Sequence, residues 1–320
     1  MIIASIDIGS NSLILLIVEF HELSKNFKVI SQQYKYPRIS KNINKTNIIS
    51  DESIKNLIDD LFSFRKIILN NNCNTVLVKC TNAFRIAKNG NEILVTLKEI
   101  FGWNFEIISG EEEAFLSFIG TIVPEYLNTK VTLIDIGGGS TEIISGNIDS
   151  IEFVNSFQIG IVSCFEKYVR GNTIKSATSE TETEIKEIIH KKKIIIDKTS
   201  KVISISGTPT TIACILSGIK DYDEKMIENF SLKLNVLKET ENLLANMTST
   251  EIKNTFGKIV EGREDLLSTG VIILRSLMEL FEINEIIVSG KGLRFGTIIQ
   301  YLLNNYFIKK EDLSKLRIEQ

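Results

Sequence analysis

The sequence contains very little histidine and cysteine, and this scarcity limits the chemistry that the chain can perform. Only 2 His and 4 Cys occur among 320 residues, and the Cys residues show no C-x-x-C spacing. A zinc site and His-based catalysis therefore have almost no suitable side chains. Scattered single Cys residues in a chain of this length are typical of reduced, buried thiols in a cytoplasmic protein.

The sequence also lacks an excess of charge and any long apolar run. Lys and Arg number 37 against 40 Asp and Glu, which gives a net charge of −3. Without a basic field, neither nucleic acid nor an anionic membrane is expected as a partner. No apolar run reaches about 18 residues, and no basic segment with a cleavage site precedes the first one, so neither a membrane span nor an export signal is expected. Any anionic ligand must be held by local geometry.

What is present is the composition of a globular protein. Apolar residues make up 43% and charged residues 24%, and the mean hydropathy is +0.09. These values exclude a disordered or collagen-like chain. At roughly 150 residues per domain, the length predicts about two domains.

Apolar, β-branched runs alternate with amphipathic helical patterns, which predicts an α/β fold. The predicted strands are residues 2–8, 13–20, 27–33, 75–80, 105–108, 131–136, 142–145, 148–157, 202–206 and 285–289. The predicted helices begin near residue 51 and cover 92–101, 109–122, 160–169, 179–198, most of 209–282 and the chain from about 293.

One motif occurs twice. Asp7–Ser12 reads D-I-G-S-N-S and Asp135–Thr141 reads D-I-G-G-G-S-T, and each connects two apolar strands. The two copies lie about one domain length apart, so they predict two related domains. We expect residues 1–124, joined by a C-terminal helix 298–320, to form the first domain and residues 125–297 the second. Two such domains facing each other would place both loops at one cleft.

Each copy of this motif has the composition of a phosphate-binding loop. An Asp ends a buried strand, and the glycines after it allow backbone N–H groups to turn toward a ligand. Ser and Thr hydroxyls add further donors, and the Asp can hold Mg²⁺ directly or through water. For one loop alone, a glycine-rich hairpin turn explains the sequence equally well. Two matched loops favour phosphate binding.

Two further glycine-containing segments leave both a structural and a functional interpretation open. Ser206–Thr211 follows a strand and begins a helix, whose free N–H groups could bind an anion. Ordinary capping by Thr208, with Pro209 at the first helical position, explains the same residues. Gly290–Arg294 is either a turn or a loop that presents two cations.

Three consecutive carboxylates, Glu111–Glu113, follow Ser109. Ser109 and Glu112 satisfy the S-x-x-E capping box, and acidic residues are favoured in the first turn of a helix. A cap uses only one carboxylate, however. Glu113 therefore either belongs to a solvated helix end or is a catalytic carboxylate that points toward the loops.

Seven motifs, taken in order, point to one family. They are Asp7–Ser12, Thr81–Arg85, Ser109–Ala114, Asp135–Glu142, Gly207–Thr211, Gly262–Asp265 and Gly292–Arg294. The chain to about residue 300 resembles the short two-domain form of the exopolyphosphatase/guanosine pentaphosphate phosphatase family, in the actin, sugar-kinase and chaperone ATPase superfamily. The resemblance implies an α/β protein of two ribonuclease H-like domains with a cleft between them. It also implies Mg²⁺-dependent hydrolysis (another divalent cation is an alternative) of terminal phosphate from inorganic polyphosphate, or of the 5′-γ-phosphate from guanosine pentaphosphate.

The resemblance also implies roles for particular residues. Glu113 would be the general base that activates water, with Asp135 and Glu142 as the other catalytic carboxylates. Asp7, Asp135 and Glu142 would be the metal-binding residues. The implied phosphate-binding residues are Gly9, Ser10, Asn11, Ser12, Arg85, Gly137, Gly138, Gly139, Ser140, Thr141, Gly207, Thr208 and Arg263. The resemblance is compatible with a homodimer.

The sequence departs from the family pattern at a few positions. Ile14 stands where members usually carry Arg or His, and Phe295 replaces a Glu of the last motif. Pro209 replaces an alanine, and Glu261 stands where proline is common. Loss of polar groups at Ile14 and Phe295 predicts weaker binding of phosphate chains. Because larger members carry further C-terminal domains, the length of 320 residues predicts a preference for short polyphosphates or the pentaphosphate nucleotide.

Two alternative functions are compatible with the same motifs. A kinase of the same superfamily would need an acceptor pocket and an adenosine-binding surface, and the Glu-rich helix argues against it. A non-catalytic sensor of an alarmone or polyphosphate is favoured by Ile14 and Phe295, whereas Glu113, Asp135 and Glu142 oppose it.

Overall fold

The computed structural model of the chain describes residues 1–123, 125–169 and 174–319. It divides into two compact units: Met1–Asn128 together with Lys291–Gln320, and Thr129–Gly290. Pro124, at which the sequence analysis ends the first domain, lies outside the described residues. The chain returns to the first unit at residue 291, because the helix that begins at Leu293 packs against that unit.

The strands and helices are numbered in chain order. The strands are β1 Ile2–Ile8, β2 Leu13–His21, β3 Asn26–Lys35, β4 Thr75–Cys80, β5 Phe105–Ile107, β6 Val131–Ile136, β7 Thr141–Gly146, β8 Ile151–Phe157, β9 Lys201–Ile205, β10 Phe230–Lys233, β11 Glu285–Val288 and β12 Arg317–Glu319. The α-helices are α1 Ile43–Thr46, α2 Asp51–Asn70, α3 Asn82–Ile86, α4 Gly90–Phe101, α5 Gly110–Ile122, α6 Ile161–Cys164, α7 Ile174–Lys192, α8 Gly207–Leu216, α9 Glu224–Ile227, α10 Leu234–Ala245, α11 Ser249–Phe256, α12 Leu267–Leu280 and α13 Leu293–Asn304. A π-helical turn covers Phe165–Val169, and 3₁₀ turns cover Gly257–Val260 and Lys310–Lys315.

The two units share the order of five strands, and each adds a sixth strand at a different edge of its sheet. The strand order is β12-β3-β2-β1-β4-β5 in the first unit and β10-β11-β9-β6-β7-β8 in the second. β1 pairs antiparallel with β2 and parallel with β4, just as β6 pairs antiparallel with β7 and parallel with β9. The predicted α/β fold with two ribonuclease H-like units is therefore confirmed.

Each sheet forms its core against amphipathic helices. In α2, the hydroxyl of Ser50 caps the helix by accepting the N–H of Ser53, and apolar side chains then recur every three or four residues. This spacing places Leu57, Leu61 and Phe64 on one buried stripe against the first sheet. The second unit has a corresponding apolar core between its sheet and helices.

The C-terminal region differs from the single helix predicted over 298–320. The helix α13 ends at Asn304 and is followed by the 3₁₀ turn Lys310–Lys315 and the strand β12. β12 pairs parallel with β3 and so adds an edge strand to the first sheet. Three residues are too few for a periodic pattern, so this strand could not be predicted from the sequence.

Two other boundaries differ from the predictions for local reasons. The helix predicted over 179–198 ends at Lys192, because Lys193 takes a left-handed conformation and the N–H of Ile194 bonds to the carbonyl of Ile189. The strand predicted from residue 148 begins at Ile151, because the Asn147 side chain accepts two N–H groups of the preceding turn. The short edge strand β10 lies within a stretch predicted to be helical.

The structure shows the state of the four Cys residues and the apolar character of the helices. All four thiols are free, three are buried, and Cys73 is half-buried. Burial raises the pKa of the Cys164 thiol to about 12. Among the described residues, no helix has both the length and the apolar character needed to cross a bilayer.

Candidate active site

The first glycine loop, Gly9–Ser12, is a tight turn, and two of its carbonyl groups accept hydrogen bonds from one neighbouring segment. The N–H of Gly9 donates to the carbonyl of Ser12 over 2.9 Å. The carbonyls of Ser10 and Asn11 accept N–H groups of the segment 38–40 over 2.9 and 3.2 Å. In a trans peptide the N–H points opposite to the preceding carbonyl. The N–H groups of Asn11 and Ser12 therefore face away from that segment.

The second loop repeats this geometry. The N–H of Gly137 donates to the carbonyl of Ser140 over 2.9 Å. The carbonyls of Gly137 and Gly138 accept the first two N–H groups of α6 over 3.0 and 2.7 Å. By the same peptide geometry, the N–H groups of Gly138 and Gly139 face away from α6. Both predicted loops thus aim two successive backbone donors in one direction, which is the arrangement of an anion-binding turn.

Two buried carboxylates lie at the base of the second loop. Asp135 on β6 and Glu142 on β7 are cross-strand partners, so their side chains lie on the same face of the sheet. Their exposed fractions are 8% and 1%. The hydroxyl of Ser206 donates to Oδ1 of Asp135, and that of Ser156 donates to Oε1 of Glu142 over 2.7 Å. Neighbouring hydroxyls therefore hold both carboxylates.

This pair fits a magnesium ion that binds together with a phosphate. Carboxylate oxygens are the ligands that Mg²⁺ prefers, and it usually keeps several waters and takes only one or two carboxylates beside substrate oxygens. No group of three or more His, Cys, Asp or Glu side chains that could hold a metal by itself occurs in the described ranges. Asp135 and Glu142 therefore suit a shared metal–phosphate site rather than a metal site made of protein ligands alone.

The first loop carries only one of these two carboxylates. Asp7 ends β1 as Asp135 ends β6, but the cross-strand partner of Asp7 is Ile14. Ile14 thus occupies the position that Glu142 has in the second unit. Phe295, the other departure noted in the sequence, is 1% exposed within α13. Its side chain therefore lies in the interior of the first unit.

The third loop brings Arg263 onto the start of α8. A Cβ atom on Gly207 would lie 1.9 Å from Nη1 of Arg263, so only glycine allows the guanidinium to approach this closely. The same Nη1 donates to the hydroxyl of Thr211 over 3.2 Å. A cation at the positive end of a helix is electrostatically unfavourable by itself, whereas an anion would be attracted by both.

The predicted capping of this helix by Thr208 is wrong. α8 begins at Gly207, which makes Ser206 the N-cap and Pro209 the third helical residue. Thr208 lies inside the helix and is buried, with an exposed fraction of 2%. The structure therefore brings Gly207, Thr208 and Arg263 together at one helix end, close to the strand end that precedes them.

Glu113 belongs neither to the helix cap nor to a solvated surface. Ser109 caps α5 by accepting the N–H of Glu112 over 3.1 Å. The Glu113 carboxylate accepts Nη1 of Arg85 over 2.7 Å, and the same Nη1 donates to the carbonyl of Ile108 over 2.9 Å. With an exposed fraction of 9%, Glu113 is held in place by one of the predicted phosphate-binding residues.

Sequence reasoning missed Lys79, a buried basic residue near the start of α5. It is buried on β4, in register with Asp7 on β1. Its ammonium lies 2.6 Å from Glu106 and 3.7 Å from Glu112. The available signal was a single Lys in the apolar strand T-V-L-V-K-C. Glu112 and Glu113 thus each have a basic neighbour, which explains in part why consecutive carboxylates are tolerated.

The chain is similar to known proteins over most of its length. The model of the Ppx/GppA phosphatase family matches residues 16–305. The chain is 28% identical over 313 residues to the bifunctional 3-dehydroquinate synthase/phosphatase of Fusobacterium nucleatum, covering 94% of this chain and 46% of that protein. It is 26% identical over 307 residues to the guanosine-5′-triphosphate,3′-diphosphate pyrophosphatase of Pseudoalteromonas atlantica, covering 94% and 58%. The chain thus spans about half the length of the curated relatives it matches.

Solved structures share the fold over nearly the whole chain. A Ppx/GppA family member from Aquifex aeolicus matches with a TM-score of 0.77 and 26% identity, covering 95% of this chain and 98% of that one. An exopolyphosphatase from Cytophaga hutchinsonii matches with a TM-score of 0.80 over 96% and 98% of the two chains, and at 23% identity it shows the fold alone. Since the family model extends from residue 16 to residue 305, this protein is a member of the Ppx/GppA phosphatase family.

Proposed function

We propose that the protein hydrolyses terminal phosphoanhydride bonds, either of inorganic polyphosphate or at the 5′-γ-phosphate of guanosine pentaphosphate. The observation that carries this proposal is the buried pair Asp135 and Glu142 beneath a loop that aims backbone donors outward. The similarity to the Pseudoalteromonas relative, which is named a guanosine-5′-triphosphate,3′-diphosphate pyrophosphatase, supports hydrolysis of the same class of bond.

Phosphate oxygens have several donors available in each unit. In the second unit these are the outward N–H groups of the loop Gly137–Thr141, the start of α8 and the guanidinium of Arg263. In the first unit they are the matching loop Gly9–Ser12 and Arg85. Nη2 of Arg85 is buried and makes no hydrogen bond to any residue that the structure describes. Fixed donors of this kind stabilise a transferring phosphoryl group mainly by position and charge.

Glu113 is the general base in this proposal. Its carboxylate would take a proton from the attacking water, and Arg85 holds that carboxylate in one orientation. Asp135 and Glu142 would hold Mg²⁺ or another divalent cation, and Asp7 is the predicted metal-binding residue at the corresponding position of the first unit. Such an ion, when bound, neutralises charge that develops on the phosphate oxygens.

The test is phosphate release from long-chain polyphosphate, guanosine pentaphosphate and ATP, measured in parallel with Mg²⁺ present. Release from either of the first two substrates, with little from ATP, supports the proposal. Transfer of phosphate from ATP to an added acceptor would instead indicate a kinase. Lack of release from all three substrates would contradict the proposal.

The second candidate is a non-catalytic sensor, and the position of Ile14 favours it. Where the second unit has Glu142 opposite Asp135, the first unit has an apolar side chain opposite Asp7. A sensor would bind guanosine pentaphosphate or polyphosphate in a direct titration without releasing phosphate. Binding and turnover measured on one preparation therefore separate the two candidates.

A further inference from the structure

Ser206 has a backbone conformation that is normally reserved for glycine. It lies between β9 and α8 with φ 80° and ψ −176°. For a residue with a Cβ atom this region is strained, and such residues persist only where surrounding contacts enforce them. The strained residue is the one directly before the candidate phosphate site at the start of α8.

The side chain of Ser206 also does not cap the helix that follows it. Ser is favoured at an N-cap because its hydroxyl accepts an N–H of the first helical turn. Within the described chain, Ser206 makes no such capping bond. Its hydroxyl donates to Oδ1 of Asp135 instead. Ile205 lies beside Asp135 in the parallel pairing of β9 with β6, so the next residue is suitably placed to reach that carboxylate.

We propose that Ser206 is a positioning residue that fixes the rotamer of the Asp135 carboxylate. The strained backbone directs the hydroxyl toward Asp135, and the hydrogen bond orients this carboxylate for a metal–phosphate complex. Glycine would adopt the same backbone without strain but would supply no hydroxyl. This inference rests on the proposed function, because that function gives Asp135 its role.

Two variants distinguish the effect of the Ser206 hydroxyl from the effect of the backbone strain. Ser206→Gly and Ser206→Ala both remove the hydroxyl, but only the alanine variant keeps a Cβ atom at this φ. We expect the thermal unfolding midpoint of the glycine variant to exceed that of the alanine variant by about 2–4 °C or more. We expect both variants to lower kcat about tenfold, the size of one hydrogen bond to a charged group, and to require more Mg²⁺ for half-maximal activity.

Ser204→Ala is the matched control. Ser204 lies on the same strand, and its buried hydroxyl donates to the carbonyl of Ile134 over 3.1 Å. Its loss should lower stability but leave kcat and the Mg²⁺ requirement near those of the wild type. If Ser206 had a purely structural role, kcat would change only as far as stability changes, and the glycine variant would keep the kcat of the wild type.

The outcomes distinguish this inference from the proposed function. A glycine variant with wild-type kcat and Mg²⁺ requirement would overturn the inference, as would equal unfolding midpoints of the glycine and alanine variants. If the wild type releases no phosphate, the proposed function fails. Calorimetric titration of the wild type and the alanine variant with Mg²⁺ alone then tests the positioning role of Ser206. Weaker Mg²⁺ binding by the alanine variant than by the wild type would still support positioning, and unchanged binding would overturn it.

Discussion

Glu111, Glu112 and Glu113 are adjacent in sequence but have three different environments. Glu111 is exposed, Glu112 lies near Lys79, and Glu113 is buried against Arg85. An exposed carboxylate and a buried, oriented one differ in what they can do to a bound water. The candidate base is therefore distinguished from its neighbours by its contacts and not by its residue type.

We expect Glu113→Gln to lower kcat by roughly 10²–10⁴-fold, the usual contribution of a general base. The amide oxygen can still accept the hydrogen bond from Arg85, but the amide cannot take a proton from water. KM should change little. Glu111→Gln, which alters an exposed residue of the same helical turn, is the control and should leave kcat unchanged. Near wild-type turnover of the Glu113 variant would exclude it as the base.

Asp135→Asn should raise the Mg²⁺ concentration needed for half-maximal activity, because one anionic ligand of the metal–phosphate assembly is lost. Asp7→Asn should shift the requirement in the same direction if both loops serve one substrate. The control is Asp221→Asn, an exposed residue of the second unit. If titrations with Mg²⁺ give the wild-type midpoint for both variants, the paired-loop interpretation loses its main support.

Many residues of the candidate site could be predicted from the sequence. The other residues could not, because their roles depend on contacts that the sequence does not show. Both Asp-Ile-Gly loops and Glu113 stand out because their residue types are unusual in the patterns around them, whereas Arg263 was implied only by the family resemblance. Ser206 and Lys79 gave little signal, because their importance comes from contacts with residues that are distant in sequence. The ion pair of Glu113 with Arg85 was missed for the same reason.

At the scale of elements, a close helix crossing holds the helix that carries Glu113. α5 packs against α13 in the first unit. A Cβ atom on Gly296 would lie 1.8 Å from the carbonyl oxygen of Leu116, and one on Gly120 would lie 2.2 Å from that of Gly292. The two backbones thus meet at a distance that only glycine permits.

Gly296→Ala should therefore lower the free energy of unfolding by about 3 kcal/mol, because an overpacked backbone contact forces the two helices apart. The displacement of α5 should also lower kcat. Asn304→Ala, at the exposed end of the same helix, is the control and should change stability little. Urea unfolding monitored by circular dichroism makes the comparison, and equal stability of the Gly296 variant and the wild type would show that the crossing is not tight.

A buried arginine connects three helices of the second unit. Arg275 on α12 has a side chain that is only 7% exposed. It contacts Glu182 of α7 over 2.6 Å, and Glu241 of α10 and Glu279 of its own helix over 2.7 Å each. Burial alone would raise the pKa of Glu279, but hydrogen bonds from Lys238 and Arg275 hold this pKa below its ordinary value of 4.5.

Arg275→Met should lower the free energy of unfolding at pH 7 by about 3 kcal/mol, the lower end of the range for removing one partner of a buried pair. A carboxylate with a lowered pKa stabilises the fold fully above pH 4.5, and this contribution is lost as the pH falls through the folded-state pKa. The difference between wild type and variant should therefore shrink in acid. Lys238→Met, which removes a more exposed partner of Glu279, should cost less than about 1 kcal/mol. Equal effects of the two substitutions would contradict the account.

The sequence predicted elements well where the periodic pattern was long. The stripe of α2 and the strands β1, β2 and β6 follow directly from their apolar spacing. The edge strands β10 and β12 were missed because three or four residues carry too little periodicity, and their pairing partners are distant in sequence. The end of α7 was misplaced because a Lys, not a Gly, takes the left-handed position after it.

At the level of the whole molecule, the Asp-Ile-Gly motif that occurs twice in the sequence predicted two related domains, each with its own sheet. Each loop closes with a hydrogen bond of 2.9 Å, and each connects the first two strands of a sheet in which five strands follow the same order. The units have diverged at one chemically important position, since Ile14 takes the place of Glu142. The second unit alone carries the carboxylate pair, and we therefore expect it to supply most of the metal-binding charge.

In the proposed reaction, water activated by Glu113 attacks the terminal phosphorus of a phosphoanhydride. Hydrolysis of polyphosphate or guanosine pentaphosphate in water labelled with heavy oxygen tests it most directly, with the released phosphate analysed by mass spectrometry. We expect one labelled oxygen in each phosphate that the wild type releases, and we expect Glu113→Gln to slow this release roughly 10²–10⁴-fold. Unlabelled phosphate, label in the remaining chain or nucleotide, or equal rates for wild type and variant would contradict it.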